Sequence, residues 1–257
     1  MYNEKNYVGR ILLLGEIVAV LSGKGGTGKT STCSGIATAL ASQGSRVLCI
    51  DCDVGLRNLD ISLGMSESAA LSFLDVSLGH YPVDAAPRHP LYPSLSFLTA
   101  PMNCPVERID PEAFAAFLRQ IRASFDYIFL DAPAGVDAGF RLVTAAADRC
   151  IVVTGPGPAA IRDAARVGEL LELAGKKEPR LVVNRVSKSM LAALKLTVDD
   201  VMDEAGLPLI GIVPEDPDVI LSAAFGKPLL TYTKKGAAAA CRRIAKRVQG
   251  MPVMVEL

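Results

Sequence analysis

Short apolar runs alternate along the chain with longer segments in which apolar and polar residues recur at helical spacing. The apolar runs predict strands at Ile17–Leu21, Arg46–Ile50, Leu95–Thr99, Tyr127–Leu130, Cys150–Thr154, Leu181–Val183 and Leu209–Val213. Helices are predicted near Ser31–Ala41, Ala69–Leu78, Pro111–Ser124, Gly139–Ala147, Ala159–Ala174, Val198–Ala205 and Lys235–Gln249. This alternation is typical of a single-domain α/β protein with a mostly parallel, doubly wound sheet covered on both faces.

Composition agrees with one folded domain. The 257 residues are 50% hydrophobic, and 27 basic residues balance 27 acidic ones. This balance disfavours a disordered chain and disfavours DNA as a partner bound through bulk charge. We assign residues 1–15 to an N-terminal extension, 16–250 to the folded domain and 251–257 to a C-terminal tail. The segment 79–93, which carries both histidines, is predicted to be a surface loop.

The amino terminus loosely resembles a signal peptide, because polar residues 1–10 precede a mostly apolar stretch over 11–21. Glu16 interrupts that stretch, which is also too short to span a bilayer. The six cysteines are scattered and mostly lie in apolar runs, as expected for buried thiols in the cytoplasm. Cys49 and Cys52 form a lone C-x-x-C pair, for which metal or redox chemistry is the alternative.

Residues 23–30 read Gly-Lys-Gly-Gly-Thr-Gly-Lys-Thr and lie between the first predicted strand and the first predicted helix. A phosphate-binding P-loop requires this order of strand, glycine-rich loop and helix. Its glycines let successive backbone N–H groups point at phosphate oxygens, while Lys29 reaches the outer phosphates and the Thr30 hydroxyl ligates Mg²⁺. The predicted nucleotide-binding residues here are Gly23, Lys24, Gly25, Gly26, Thr27, Gly28, Lys29, Thr30 and Ser31. Lys24 is not required by the general pattern; a glycine-rich turn without ligand is the alternative for the whole loop.

Two predicted strands run into aspartates. Asp51 and Asp53 are two residues apart, so on an extended segment their side chains face the same way. One is expected to support the Mg²⁺ shell and the other to orient an attacking water. Asp131 directly follows the predicted strand 127–130. It fits the Walker B role of holding Mg²⁺ directly or through a water. A helix-capping role is the alternative.

A third predicted strand leads into Asn184 and Arg185. The Asn184 amide offers both a donor and an acceptor, as the edge of adenine requires. A guanine site of the N-K-x-D kind would have Asp where Ser187 stands, so ATP is favoured over GTP. Pro214 follows the last strand and is expected to flank the base, with a plain strand-to-helix turn as the alternative.

The Lys24-bearing loop resembles the deviant Walker A motif of the ParA/MinD ATPases, a family that also includes relatives of nitrogenase iron protein. The segment Gly55–Asp60 resembles the MinD branch in particular. Further similarity lies at Asp131–Gly135, Arg162–Asp163 and Pro214–Asp216, so the resemblance covers roughly residues 16–250.

The resemblance implies a Mg²⁺-dependent ATPase switch that forms a homodimer with ATP and controls placement of the division site (septum). It assigns catalytic roles to Lys24, Lys29 and Asp53: Lys24 reaches the nucleotide of the second copy, Lys29 acts within its own copy, and Asp53 positions the hydrolytic water. It places Thr30, Asp51 and Asp131 around Mg²⁺. It also implies a protein activator or effector, and it puts Arg162–Asp163 near the dimer and partner surface, where plain helix-surface charge is the alternative.

The sequence departs from the family at two places. Thr27 stands where many relatives have Val. Family members usually end in a basic amphipathic helix that binds membrane, whereas the last predicted helix here sets Arg242, Arg243, Lys246 and Arg247 opposite mostly small apolar residues. Those residues are Ala237, Cys241, Ile244 and Val248. We therefore expect this helix to pack on the domain, and expect a cytoplasmic protein for which weak contact with the inner face of the membrane stays open.

Two alternative functions remain at this point. One is a partition or flagellar and polar-positioning ATPase, which keeps the chemistry and changes the role. The other is an iron–sulfur carrier of the nitrogenase iron protein type, which would need bridging cysteines soon after Asp131, where the sequence has none.

Overall fold

Every predicted strand is present, and all of them belong to one parallel sheet in the computed structural model, which describes residues 14–68 and 70–256. The strands are β1 (Glu16–Leu21), β2 (Val47–Asp51), β3 (Leu95–Leu98), β4 (Tyr127–Asp131), β5 (Arg149–Thr154), β6 (Arg180–Val186) and β7 (Leu209–Pro214). They are almost wholly buried on both faces, which explains why they read as continuous apolar runs.

The strand order β3-β2-β4-β1-β5-β6-β7 determines where a ligand can bind. β1 lies between β4 and β5, and the chain order reverses around it. Ligands of open parallel sheets bind beyond the carboxyl ends of strands at such a reversal. The register between β2 and β4 sets Asp51 directly beside Asp131 at that same end.

Helices cover both faces of the sheet. They are α1 (Lys29–Ala41), α2 (Leu59–Leu63), α3 (Phe73–Ser77), α4 (Pro111–Ile121), α5 (Ala138–Ala146), α6 (Pro158–Leu173), α7 (Lys188–Leu194), α8 (Val198–Ala205), α9 (Asp218–Ala224), α10 (Leu229–Tyr232) and α11 (Gly236–Val248). One core contains apolar residues of α3, α4, α5, α6 and α8, and the other contains those of α1, α2, α10 and α11. The single-domain, doubly wound α/β fold is thus confirmed.

The sequence-based boundaries differ from the structure at several elements. The helix predicted over 69–78 is only α3, and Ala69 lies outside the described residues. β6 runs on through Asn184 to Val186, with an irregular register against β7, so Asn184 lies within the strand and not after it. Arg185 at this irregularity has φ 57, in the left-handed region.

The segment 79–93 is mostly exposed, as predicted, but Ala86 and His89 in its second half are buried. The backbone N–H of Phe97 donates to Pro87 O at 3.0 Å, and that of His89 donates to Leu95 O at 2.8 Å. Residues 87–89 therefore lie beside β3 at the edge of the sheet. The side chain of His89 is buried, which the loop prediction missed.

α11 packs on the domain, as its small apolar face predicted. Ala237, Cys241, Ile244 and Val248 are all buried. Beyond α11 the chain lies beside β7: the Arg247 guanidinium donates from Nε to Val253 O at 2.8 Å and from Nη1 to Ile210 O at 3.0 Å. Residues 1–13 of the proposed extension and Leu257 of the proposed tail lie outside the described residues. In the described part of the chain, no helix is long and apolar enough to cross a membrane.

Candidate active site

The glycine-rich loop between β1 and α1 has the backbone that its sequence predicts. Gly26 and Gly28 have φ of 81° and 85°, a region that side-chain-bearing residues avoid. A Cβ on Gly28 would lie 2.1 Å from Asn184 Nδ2, so only glycine fits there. The Asn184 amide donates from Nδ2 to Thr27 O at 2.7 Å. Asn184 therefore fixes the loop to β6, a role that its sequence position did not reveal.

The two lysines of the loop have opposite environments. Lys29 is buried, with an exposed fraction of 7%, and its ammonium forms an ion pair with Asp131. Its Nζ also lies 3.3 Å from Thr30 Oγ1. Lys24 is exposed, and across residues 14–68 and 70–256 its ammonium has no ion-pair partner. The P-loop lysine is thus held at the strand ends, while the extra lysine faces outward.

Asp51 and Asp131 form a buried pair of carboxylates at the ends of β2 and β4. Asp51 accepts from the N–H of Asp53 at 2.9 Å and from that of Leu59 at 3.1 Å. Burial, reinforced by the nearby Asp131 charge, raises the pKa of Asp51 from 3.8 to about 7. Burial also raises the pKa of Asp131, although the Lys29 ammonium acts in the opposite direction. A cation bound between the two carboxylates would offset the energetic cost of burying their charges.

Asp53 lies past the end of β2, in the loop that leads to α2. Its Oδ1 accepts from the N–H groups of Gly55 and Leu56, each at 3.1 Å. These bonds orient the carboxylate and leave Oδ2 without a hydrogen bond among the described residues. Arg57 in the same loop has φ 46, a strained value for this residue type. The spacing predicted that Asp51 and Asp53 lie on one extended segment. In the structure β2 ends at Asp51, and Asp53 lies in the turn that follows, where its N–H donates to Asp51 Oδ1.

A cleft opens beside the loop, between β6 and the chain that follows β7. Its polar side carries Asn184, Arg185 and Glu215, and Pro214 also lines it. Its apolar wall comes from Val213, Val219, Ile220, Leu229 and Cys241. An apolar cleft edged by an amide suits a purine base. Asn184, Arg185 and Pro214, which were predicted to lie beside the base, line this cleft. The residues of the apolar wall were not predicted, because they come from separate elements and belong to no motif.

The helix α6 contacts the entrance of the loop. A Cβ on Gly23 would lie 2.6 Å from Cβ of Asp163 and 2.7 Å from its carbonyl oxygen. This close approach explains the glycine at position 23, and it places the exposed Arg162 next to the outward-facing Lys24 end of the loop.

The residues present fit a nucleotide and Mg²⁺. The loop leaves Thr27 Oγ1 buried, and within the described residues it has no hydrogen-bond partner. The residues suited to the metal are Thr30, Asp51 and Asp131, hard oxygen donors at one end of the sheet. Iron–sulfur ligands are less well supplied, because Cys104 alone among the described cysteines is partly exposed. Cys49 and Cys52 are both fully buried and free.

A buried lysine on a strand-end aspartate, a glycine loop in left-handed conformation and an adjoining base cleft together define a P-loop nucleotide-binding protein. The family model described as the CobQ/CobB/MinD/ParA nucleotide binding domain matches residues 18–229. The septum site-determining protein MinD of Synechocystis is 38% identical over 243 residues, which cover 93% of this chain and 91% of the relative.

Solved structures agree with this family. The MinD chain of the MinC:MinD cell division complex of Aquifex aeolicus superposes with a TM-score of 0.87 at 35% identity, covering 95% of this chain and 99% of that one. MinD of Pyrococcus horikoshii, complexed with Mg-ADP, gives a TM-score of 0.80 at 26% identity, covering 91% and 96%. The chain therefore belongs to the CobQ/CobB/MinD/ParA nucleotide-binding family and, within it, to the septum site-determining MinD proteins.

Proposed function

We propose that this protein is a Mg²⁺-dependent ATPase whose hydrolysis requires two copies of the chain. The observation that carries the proposal is the contrast between the two lysines of one loop. Lys29 is buried on Asp131, whereas Lys24 is exposed and free to reach a second molecule. A cation supplied from the second copy would add positive charge where phosphoryl charge develops, so hydrolysis would depend on dimer formation.

Lys29 binds the outer phosphates in this proposal, together with the N–H groups of the loop. Because Lys29 and Asp131 are each other's partners here, phosphate at the loop and a cation at Asp131 would replace their ion pair. Bound Mg²⁺ supplies neutralisation of the phosphate charge, with Thr30, Asp51 and Asp131 as the residues that would hold it. In this proposal the adenine base lies in the cleft, where the side-chain Oδ1 of Asn184 can accept a hydrogen bond from the exocyclic amine of adenine.

Asp53 orients the attacking water. Its Oδ1 is fixed by the N–H groups of Gly55 and Leu56, and this fixes the direction of the remaining oxygen. A carboxylate held by two hydrogen bonds on a short turn needs little reorganisation during the reaction. The proposed catalytic residues are therefore Lys24, Lys29 and Asp53.

The output of this cycle is placement of the division site through a protein effector. Two observations support this role: the MinD relatives are named for septum site determination, and the MinD of Aquifex aeolicus was solved with MinC. The ATP-bound dimer would present the surface around Arg162 and Asp163 to that partner. Residues 16–250 form the ATPase domain in this proposal, with 1–15 and 251–257 as its extensions.

Light scattering after size-exclusion chromatography tests the proposal. The mass should rise from the 27.1 kDa monomer to a dimer with ATP but not with ADP. The rise should be clearest in Asp53→Ala, which is expected to bind ATP and hydrolyse it slowly. Lys24→Ala should bind ATP and lose most of its hydrolysis. Lys177→Ala, on an exposed lysine at the opposite end of the sheet, is the matched control.

A dimer that forms equally with ADP, or hydrolysis per molecule that does not depend on protein concentration, would contradict the requirement for two copies. Salt-sensitive binding of the ATP form to DNA would instead favour a partition role.

A further inference from the structure

The short helix α2 links the metal-site carboxylate to a buried histidine. At its start the N–H of Leu59 donates to Asp51 Oδ2 at 3.1 Å. At its end Leu63 O lies 2.9 Å from Nε2 of His89. Both groups are helix-terminal atoms that have no partner within a helix. The two bonds are about 7 Å apart along the axis, at about 1.5 Å per residue.

A helix of five residues is not stable by itself, so its position is set by its surroundings. Leu59 and Leu63 are fully buried and hold one face of α2 in the core. Apolar contacts are non-directional, however, and constrain the rotation and the tilt of so short a segment less sharply than hydrogen bonds do. The directional contacts are the hydrogen bonds at the two ends.

His89 is a rigid anchor for this purpose. Its Nδ1 accepts from the N–H groups of Leu91 and Tyr92, at 3.0 and 3.2 Å. Since Nδ1 is an acceptor, the proton of the neutral ring is on Nε2, which therefore donates to Leu63 O. The backbone of His89 is bonded to Leu95 of β3, and its side chain is 1% exposed. The anchor is thus part of the sheet edge.

We propose that His89 is a positioning residue for Asp51: by holding the end of α2, it keeps the Leu59 N–H on the carboxylate that serves Mg²⁺. This inference rests on the proposed function of Asp51. It gives the second half of segment 79–93 a role in the active site, although His89 itself is separated from Asp51 by the whole of α2.

Two substitutions separate the two nitrogen atoms of His89. His89→Asn keeps an acceptor for the Leu91 and Tyr92 N–H groups, so the turn is retained, but it loses the donor to Leu63 O. His89→Gln places an amide N–H near the former Nε2 and restores that donor. His80→Asn is the matched control, because His80 belongs to the same segment and its side chain is 61% exposed.

The first measurement is hydrogen–deuterium exchange of a peptide covering α2 in the nucleotide-free protein. We expect exchange of the Leu59 amide to rise about five-fold in His89→Asn, as for loss of one hydrogen bond, and to stay near wild type in His89→Gln and His80→Asn. The second is the Mg²⁺ concentration for half-maximal ATP hydrolysis, which should rise by a similar factor in His89→Asn alone. ADP affinity in EDTA should be equal in all four proteins, because the hydrogen bond between His89 and Leu63 O does not involve the phosphate-binding loop.

Unchanged exchange and unchanged Mg²⁺ response in His89→Asn would overturn the inference, as would equal changes in His80→Asn. A wild type that hydrolyses no ATP with Mg²⁺ would contradict the proposed function instead. Normal wild-type hydrolysis with an unaffected His89→Asn would contradict only the role of His89.

Discussion

Replacing Asp51 by Asn should remove a large part of the pH dependence of stability. Burial and the neighbouring Asp131 raise the pKa of Asp51 from 3.8 to about 7 in the nucleotide-free protein. Folding therefore favours the protonated carboxyl, and the associated stability is present at low pH and is lost as pH rises from about 4 to about 7. A pKa difference of this size corresponds to about 4 kcal/mol, which is an upper value for this group.

The free energy of unfolding of wild type and Asp51→Asn can be measured by urea denaturation in EDTA between about pH 5 and about pH 8. Asn can accept only one of the two N–H bonds made to Asp51, which adds an offset that does not depend on pH. The other titrating groups are shared, so the difference between the two curves reports the Asp51 carboxyl together with its coupling to Asp131. Wild type should lose about 2–3 kcal/mol relative to the variant over this range.

Asp84→Asn, on an exposed carboxyl, is the control and should parallel wild type. If the curves of wild type and Asp51→Asn run parallel as well, the Asp51 carboxyl ionises at the same pH in the folded and in the unfolded state. The argument that burial raises its pKa would then be refuted. In wild type, added Mg²⁺ with ADP should flatten the slope above about pH 6, because a cation favours the ionised form.

Three further predictions concern the loop. Gly28→Ala should weaken ADP binding at least about ten-fold in calorimetry, because left-handed φ costs about 1–2 kcal/mol and the new Cβ meets Asn184. Gly157→Ala, which lies outside the loop and has open space around the new Cβ, should bind as wild type does, and equal effects would refute the steric cause. Thr27→Val should stabilise the nucleotide-free protein by about 1 kcal/mol in urea denaturation, since it removes a buried hydroxyl with no partner in the described residues; a lower midpoint would mean that the hydroxyl has a partner. Lys29→Ala should abolish ADP binding and destabilise the fold by about 3 kcal/mol, because Asp131 is left buried without its cation; retained tight binding would contradict the loop assignment.

The sequence was sufficient for the sheet because its strands are buried on both faces and read as unbroken apolar runs. It failed for α2, α7, α9 and α10, which have only four to seven residues each and no clear helical period. In the site, the chemistry of Lys29, Asp51 and Asp131 follows from the motifs, whereas their pairing depends on strand register. Asn184 was assigned to the base, but its bond to Thr27 O could not be foreseen, since it joins positions 157 apart in the chain. His89 carries no motif, and its burial depends on the pairing of 87–89 with β3.

Both outer strands of the sheet are occupied. β3 is bonded to residues 87–89, and at β7 the Arg247 guanidinium takes Ile210 O while it also holds the chain at Val253. A bare edge strand is a template for uncontrolled pairing with other chains. Covered edges leave this protein fewer ways to associate through its backbone, so self-association would have to use side-chain surfaces. In the proposed ATPase cycle, in which a dimer would return to single molecules after hydrolysis, resistance to aggregation at the sheet edge is as necessary as the chemistry at the strand ends.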